Sequence, residues 1–430
     1  MFVRDRATLA DGPPPREAVT CHRARRPPRT GAGDDEQEHR HMSDTPRLHR
    51  AGPAALERAR ELRPLIEREA ATAEALGRLT DPVVDALHEA GLFRIWVPEP
   101  LGGAELSPTE LLAVFEELTY ADPSTGWVVM ATTLENGTAG AYLGDDAVER
   151  MFSGPRAPLI AGQGTRPGVA VPEDGGFRLT GQWGFASGML HAQYAHSLGA
   201  VEGTDEARIC ITPIEDVKML GNWDVLGLRA TGSVDYAIED AFVPESYTHV
   251  FTLDEPLRGG AIYRLGLVDQ ALICHSGWAL GLGRRLLDEL ARHARARTGR
   301  PGQLAGSDAF HADFARAEAG FRAAAALVRQ TWDDAERALE AGRRLGVRQE
   351  TMVRLALNHV TSTLSGVARF VHASCATTAL RDGLVQRLFR DAHAGAAHIT
   401  SGPQVLAGCG RELAGLAPGA SWVVFALEQP

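Results

Sequence analysis

The chain has 430 residues, 44% hydrophobic and 23% charged, which suits two or three packed layers around a shared core. Its formal net charge of -11 leaves no basic footprint for nucleic acid. No apolar run approaches the roughly 18 residues of a membrane helix, and no apolar stretch near the start marks a secretory signal. Five scattered cysteines (Cys21, Cys210, Cys274, Cys375, Cys409) form no CxxC pair, which favours buried thiols in a reducing cytoplasm over disulfides or a metal site.

Residues 1–50 read as a disordered leader. They combine Pro13-Pro14-Pro15, the basic run Arg23 to Arg26 and the acidic run Asp34 to Glu36 with few apolar residues, too few to offset the entropy of ordering. His39 and His41 lie in this tail, and Met42 is an alternative start. Residues 51–156 have helical periodicity. Asp81-Pro82 opens one helix through Val83, Val84, Leu87 and Ala90, and Ser107-Pro108-Thr109-Glu110 is a capping box for another; Asp122-Pro123 ends that helix and starts the next.

Residues 157–256 switch to alternation, with a turn at Asp174-Gly175-Gly176 and inward positions Val234, Tyr236 and Ile238, so a β domain is predicted. Residues 257–430 return to helical spacing in four long segments near 262–297, 307–342, 347–381 and 384–415. Breaks at Gly299 to Pro301, Gly342 to Gly346 and Asp382-Gly383 predict an antiparallel four-helix bundle. The fold class is α+β, in the order helices, β domain, bundle. Rossmann, Walker, HExxH and Gly-x-Ser-x-Gly signatures are absent from the sequence.

The run Gly227-Leu228-Arg229-Ala230-Thr231-Gly232-Ser233, preceded by Trp223-Asp224-Val225, resembles the Gly-Leu-Arg-x-Thr-Gly-Ser element of the acyl-CoA dehydrogenase superfamily. Val97-Pro98-Glu99 with Leu101-Gly102-Gly103, Leu179-Thr180-Gly181 leading to Ser187-Gly188, and Arg390-Asp391 follow in the family order, so the resemblance spans about residues 55 to 415. It implies an acyl-CoA dehydrogenase-like fold with a β-barrel-like centre, and a flavin ring between that centre and the C-terminal helices. On this resemblance Ser187 is either a turn serine or a partner of flavin N5. Trp183 and Phe185 are strand core or ring-stacking groups. Arg297 and Arg300 sit where relatives direct an arginine to the flavin phosphates, and Arg390 and Asp391 contact flavin or form an interhelical ion pair, the role preferred here.

In most true acyl-CoA dehydrogenases the Arg-Asp-Ala element leads to Tyr-Glu-Gly-Thr, whose glutamate takes the substrate α-proton. Here His398 and Ile399 stand at those two places, and isoleucine accepts no proton. Some relatives carry the base near Gln270 or Ala271 instead, where Asp269 is a short and displaced substitute. A histidine at this position resembles the monooxygenase branch, the two-component relatives of 4-hydroxyphenylacetate, steroid and natural-product hydroxylases. That branch implies reduced flavin (FMNH2 or FADH2) from a separate flavin reductase, molecular oxygen, a C4a-hydroperoxyflavin, and a homotetramer, or at least a dimer, built through the bundle. Apolar residues such as Ala323 to Ala325 with Leu327, and Leu355 to Leu357, offer faces for such assembly.

His398 then exchanges a proton with substrate, a task that suits an imidazole, while His393 faces elsewhere. Some hydroxylases place a substrate-facing histidine in the segment matching Leu134-Glu135-Asn136-Gly137; its absence implies a substrate other than simple phenols. The expected substrate is an aromatic, polyketide-like or amino-sugar small molecule. The alternatives are an FAD-dependent acyl-CoA dehydrogenase and a non-catalytic flavin- or ligand-binding relative.

Overall fold

The computed structural model describes residues 52–252, 255–299 and 303–429. The leader at 1–50, with Met42, lies outside the described residues, as does Arg300. The N-terminal region is helical: α1 (Gly52–Leu76), α2 (Asp81–Glu89), α3 (Pro108–Ala121), α4 (Pro123–Tyr142) and α5 (Asp145–Phe152). The capping box forms, with Ser107 Oγ accepting from the Glu110 N–H and Glu110 Oε2 accepting from the Ser107 N–H. Asp122 caps α4 by accepting the Thr125 N–H at 2.9 Å, and α2 is capped one residue earlier than read, at Thr80. Nearly every residue of α4 is buried, because helices cover one side of it and the sheet the other.

The centre is one seven-stranded mixed sheet of β1 (Ile160–Glu173), β2 (Gly176–Trp183), β3 (Tyr194–Val201), β4 (Ala207–Pro213), β5 (Lys218–Met219), β6 (Tyr236–Pro244) and β7 (Thr248–Val250). The order is β5-β6-β2-β1-β3-β4-β7, antiparallel except between β1 and β3. The β1–β2 hairpin turns on Asp174-Gly175, and Gly175 takes the positive φ of 77° that such a two-residue loop requires.

The C-terminal region holds α6 (Gly266–Ala296), α7 (Asp308–Glu340), α8 (Val347–Cys375), α9 (Leu384–Gly395) and α10 (Pro403–Leu413). Three of the four predicted segments are single long helices. The fourth is broken: residues 396–402 leave the helix, His398 is extended (φ -65°, ψ 144°), and Gly402-Pro403 restarts it as α10. Proline at the first helical position disfavours helix in the residue before it, which the apolar spacing alone conceals. A short hairpin, β8 (Ser421–Val423) and β9 (Ala426–Glu428), closes the chain and was not anticipated. Trp422 anchors it, donating to Thr351 Oγ1 at 2.9 Å and lying under the Arg354 guanidinium.

α6 is the central helix, packed on α3, α4 and α8. At Gly281 a side chain would overlap the Glu116 carbonyl of α3, so glycine sets that close approach. Ala324, Ala325, Ala356 and Leu357, read as assembly surface, are buried inside the chain's own core. Among the described residues, no helix is long and apolar enough to cross a membrane. Cys210, Cys274, Cys375 and Cys409 are buried free thiols.

Candidate active site

The sheet and the helices meet around a cavity of about 610 Å³, walled by α4, the start of α6, the 396–400 link and the loops carrying Ser187 and Gly227 to Ser233. Two contacts lock the Gly-Leu-Arg-Ala-Thr-Gly-Ser loop to α9. Buried Asp391 accepts the Leu228 N–H at 2.6 Å, and a side chain at Gly227 would overlap the Arg390 carbonyl. Leu228 itself holds a left-handed φ of 55°, a strained position for a branched residue that this packing fixes. The two family-like motifs therefore act together, joining β domain to bundle at the cavity's edge.

Along one wall runs a chain of polar hydrogens. Trp127 Nε1 donates to Ser187 Oγ at 2.9 Å; Ser187 and Ser233 hydroxyls lie 2.8 Å apart, and those of Ser233 and Thr231 2.6 Å apart. Thr231 Oγ1 donates to the Leu228 carbonyl at 2.7 Å. Each hydroxyl has one proton, so this end fixes the direction: Ser233 donates to Thr231 and Ser187 donates to Ser233. Ser187 is left with a free lone pair, and so acts as an acceptor toward the cavity.

Also lining the cavity, His398 stacks against His275, with ring centroids 4.1 Å apart and planes at 30°. Trp127 stands edge-on to His275 at 5.0 Å, to His398 at 5.8 Å and to Trp278 at 5.1 Å. His398 Nδ1 accepts the Thr400 N–H and lies 3.0 Å from Thr400 Oγ1, which places the ring proton on Nε2. Burial pushes the His398 pKa down to about 4, and burial together with His398 pushes His275 well below the usual imidazole value. Both rings are neutral at pH 7.

Of the residues singled out from the sequence, His398, Ser187 and Phe185 line the cavity. Phe185 is 72% exposed at a positive φ of 62°, edge-on to Trp223 at 6.1 Å. Trp183 is not there: it is strand core, stacked on Tyr236 at 5.3 Å and donating to the Leu198 carbonyl. Arg390 pairs with Glu74 of α1 and donates to the Leu226 carbonyl, so of the two expected roles it takes the interhelical ion pair, whereas Asp391 accepts the Leu228 N–H. Arg297 ends α6, about 33 Å along the axis from His275 at 1.5 Å per residue, and does not line this chain's cavity. His393 turns away onto Phe389.

Asp269 forms a buried ion pair with Arg354 at 2.8 Å and also lies outside the lining. His275, Trp127 and Glu135 do line it and were not chosen from the sequence. His275 and Trp127 gave no signal beyond helical spacing, and Glu135 stood out only as a missing histidine.

Comparisons with known proteins bear on the family of the chain. The model described as "Acyl-CoA dehydrogenase, N-terminal domain" matches residues 57–152, and "Acyl-CoA dehydrogenase, C-terminal domain" matches 273–402. An indole-3-acetate monooxygenase of Pseudomonas putida is 30% identical over 67% of this chain and 74% of its own. The oxygenase subunit HsaA of a flavin-dependent monooxygenase from Rhodococcus jostii is 28% identical over 81% of this chain and 95% of its own. The crystal structure of a 3-HSA hydroxylase from Rhodococcus sp. RHA1 superposes with a TM-score of 0.80 at 26% identity, covering 87% of this chain and 99% of that one. The chain belongs to the acyl-CoA dehydrogenase family, on its branch of flavin-dependent monooxygenases.

Proposed function

We propose that this chain is the oxygenase component of a two-component system, taking reduced flavin from a separate reductase and inserting one oxygen atom into an apolar small molecule. The observation that carries the reading is the pairing of neutral His398 and His275 in the cavity that Ser187 also lines, with Ile399 where a dehydrogenase base would stand. The residues present fit a flavin ring. The cavity volume is in the range of cofactor sites, its walls are largely apolar, and Ser187 offers an acceptor. Ser187 would accept the N5–H that a reduced ring has and an oxidised ring lacks, and Trp127 and Phe185 would border the ring. When bound, reduced flavin supplies the two electrons that activate molecular oxygen.

The chain's own residues do the rest. Apolar walls from α4 and α6 exclude water, which favours oxygen transfer over release of hydrogen peroxide. His398 presents Nε2–H to the substrate and exchanges a proton with it. Its burial disfavours the imidazolium, so His398 holds an extra proton only while negative charge develops beside it. Assembly into a homotetramer would use leucines that one chain leaves exposed near its C-terminal helices, Leu380, Leu406, Leu413 and Leu416; sedimentation as a monomer at micromolar concentration would contradict that.

The test mixes protein-bound reduced flavin with oxygenated buffer and follows flavin absorbance and hydrogen peroxide together. Peroxide should trail the loss of reduced flavin in the wild type, and simultaneous traces refute the reading. His398→Ala should bind reduced flavin normally and lose product formation by roughly 100-fold, the usual scale of a lost acid–base group.

A further inference from the structure

Glu135 projects from the middle of α4 into the cavity and is 8% exposed. The Gly162 N–H donates to its carboxyl, while Oε2 has no partner. Among the described residues that line the cavity there is no lysine, arginine or aspartate. A buried carboxylate without a cation is costly, and a single backbone N–H does not compensate it. Burial accordingly raises the Glu135 pKa well above the ordinary carboxylate range, against the Gly162 N–H. A buried carboxyl facing no cation favours its neutral acid form. Either carboxyl oxygen can carry the proton, and Glu135 meets the cavity beside Met130, Leu134 and Cys274, so its O–H is a donor at the wall of an apolar space. An O–H so placed selects strongly, because a ligand without an acceptor leaves it unsatisfied.

We propose that Glu135 determines the substrate class of this site: its O–H donates to a carbonyl-type acceptor on an uncharged, otherwise apolar molecule, and its carboxyl rejects molecules that carry a carboxylate. The proposal rests on the monooxygenase reading above. A carboxylate ligand meets no cation in the cavity and, if it drew the Glu135 proton away, would face a second negative charge. Selection of this chain thus differs from what is implied by the name of its indole-3-acetate relative, whose substrate is an anion at neutral pH.

Three probes that share one ring separate the possibilities: indole-3-acetamide (neutral), indole-3-acetate (anionic) and tryptamine (cationic). Binding to the full chain is measured by calorimetry under anaerobic conditions, with and without reduced flavin. The amide should bind at least tenfold more tightly than the acetate. Glu135→Gln, which keeps a neutral donor, should hold amide affinity within about threefold, while Glu135→Leu should lose roughly tenfold, the scale of one net hydrogen bond. Circular dichroism establishes that both variants fold.

Acetate binding as tightly as the amide overturns the proposal. So does a preference for tryptamine that Glu135→Gln abolishes, which would mean an ionised carboxylate, and so does failure of all three probes to bind. Variants that change reduced-flavin affinity but leave the probe ratios alone assign Glu135 to the cofactor and also overturn it. Probe discrimination by protein that binds no reduced flavin supports the Glu135 assignment while removing the monooxygenase reading, so the two failures are distinguishable.

Discussion

Asp391→Asn replaces an ionisable acceptor by a neutral one at the junction of β domain and bundle. Asp391 is 1% exposed and accepts the Leu228 N–H at 2.6 Å. Burial raises its pKa to about 7; the Leu228 N–H opposes this, Asp122 and Glu74 add to it, and Arg387 opposes it. The folded chain therefore keeps a proton that the unfolded chain, with an ordinary aspartate, has released. The stability this group gives is complete below about pH 4 and is lost as pH rises through about 7. The slope is about 1.4 kcal/mol per pH unit, and the full shift of roughly three units sums to about 4 kcal/mol.

Asparagine has no such dependence. The wild type should accordingly lose about 2 kcal/mol relative to Asp391→Asn between pH 5 and pH 7, and almost nothing more above pH 8. Urea unfolding of both proteins at pH 5, 6, 7 and 8 measures the difference. The buried histidines titrate in both and cancel. A stability difference that does not change with pH would refute the reasoning, because it would mean Asp391 is ionised throughout.

Three further changes bear on the site. Gly227→Ala forces a side chain into the Arg390 carbonyl and should lower flavin affinity at least tenfold along with the melting temperature, read by fluorescence titration and calorimetry. Ser187→Ala leaves the Trp127 N–H without its acceptor, costing about 1–3 kcal/mol of stability, and should weaken reduced flavin more than oxidised flavin. Asp269→Ala strands Arg354 in the core and should cost about 3–5 kcal/mol in urea unfolding; stopped-flow traces should show an unchanged oxygen reaction, since neither residue lines the cavity.

What the sequence discloses here follows from how local each signal is. The Ser107–Glu110 capping box, the Asp122-Pro123 break and the Asp174-Gly175 turn are decided within four residues, and all form. His398 could be found because a motif places it by counting. His275 could not: it contacts His398 across 123 positions of sequence, and on α6 it looks like any polar residue among apolar neighbours. Trp183 and Phe185 are two residues apart, yet one is core and the other exposed. A strand ends between them and Phe185 turns to positive φ, a reversal that alternation does not forecast. The break after Gly395 was hidden by spacing that continues through it, although Gly402-Pro403 marks the restart. Arg390 shows the limit of motif counting: the position matches, but which of two partners it takes depends on Glu74, a residue from the first helix.

The acyl-CoA dehydrogenase alternative reduces to one question, whether any group in the cavity can take a proton from a thioester's α-carbon. Ile399 cannot, and Asp269 is committed to Arg354 outside the cavity. Among the described residues that line it, Glu135 is the sole carboxyl, and burial raises its pKa well above the ordinary carboxylate range. Serving as a base requires ionising it, and in this space that carries the desolvation cost that raises its pKa. The neutral histidines are weak bases for the same reason, since burial opposes the imidazolium. Oxidised flavin bound to the wild type should therefore keep its absorbance when butyryl-CoA is added without oxygen. Ile399→Glu, on a residue 41% exposed and so free to ionise, should bleach it slowly if the cavity admits the thioester. Bleaching by the wild type would refute the monooxygenase assignment, and its loss in Glu135→Gln would identify Glu135 as the base after all.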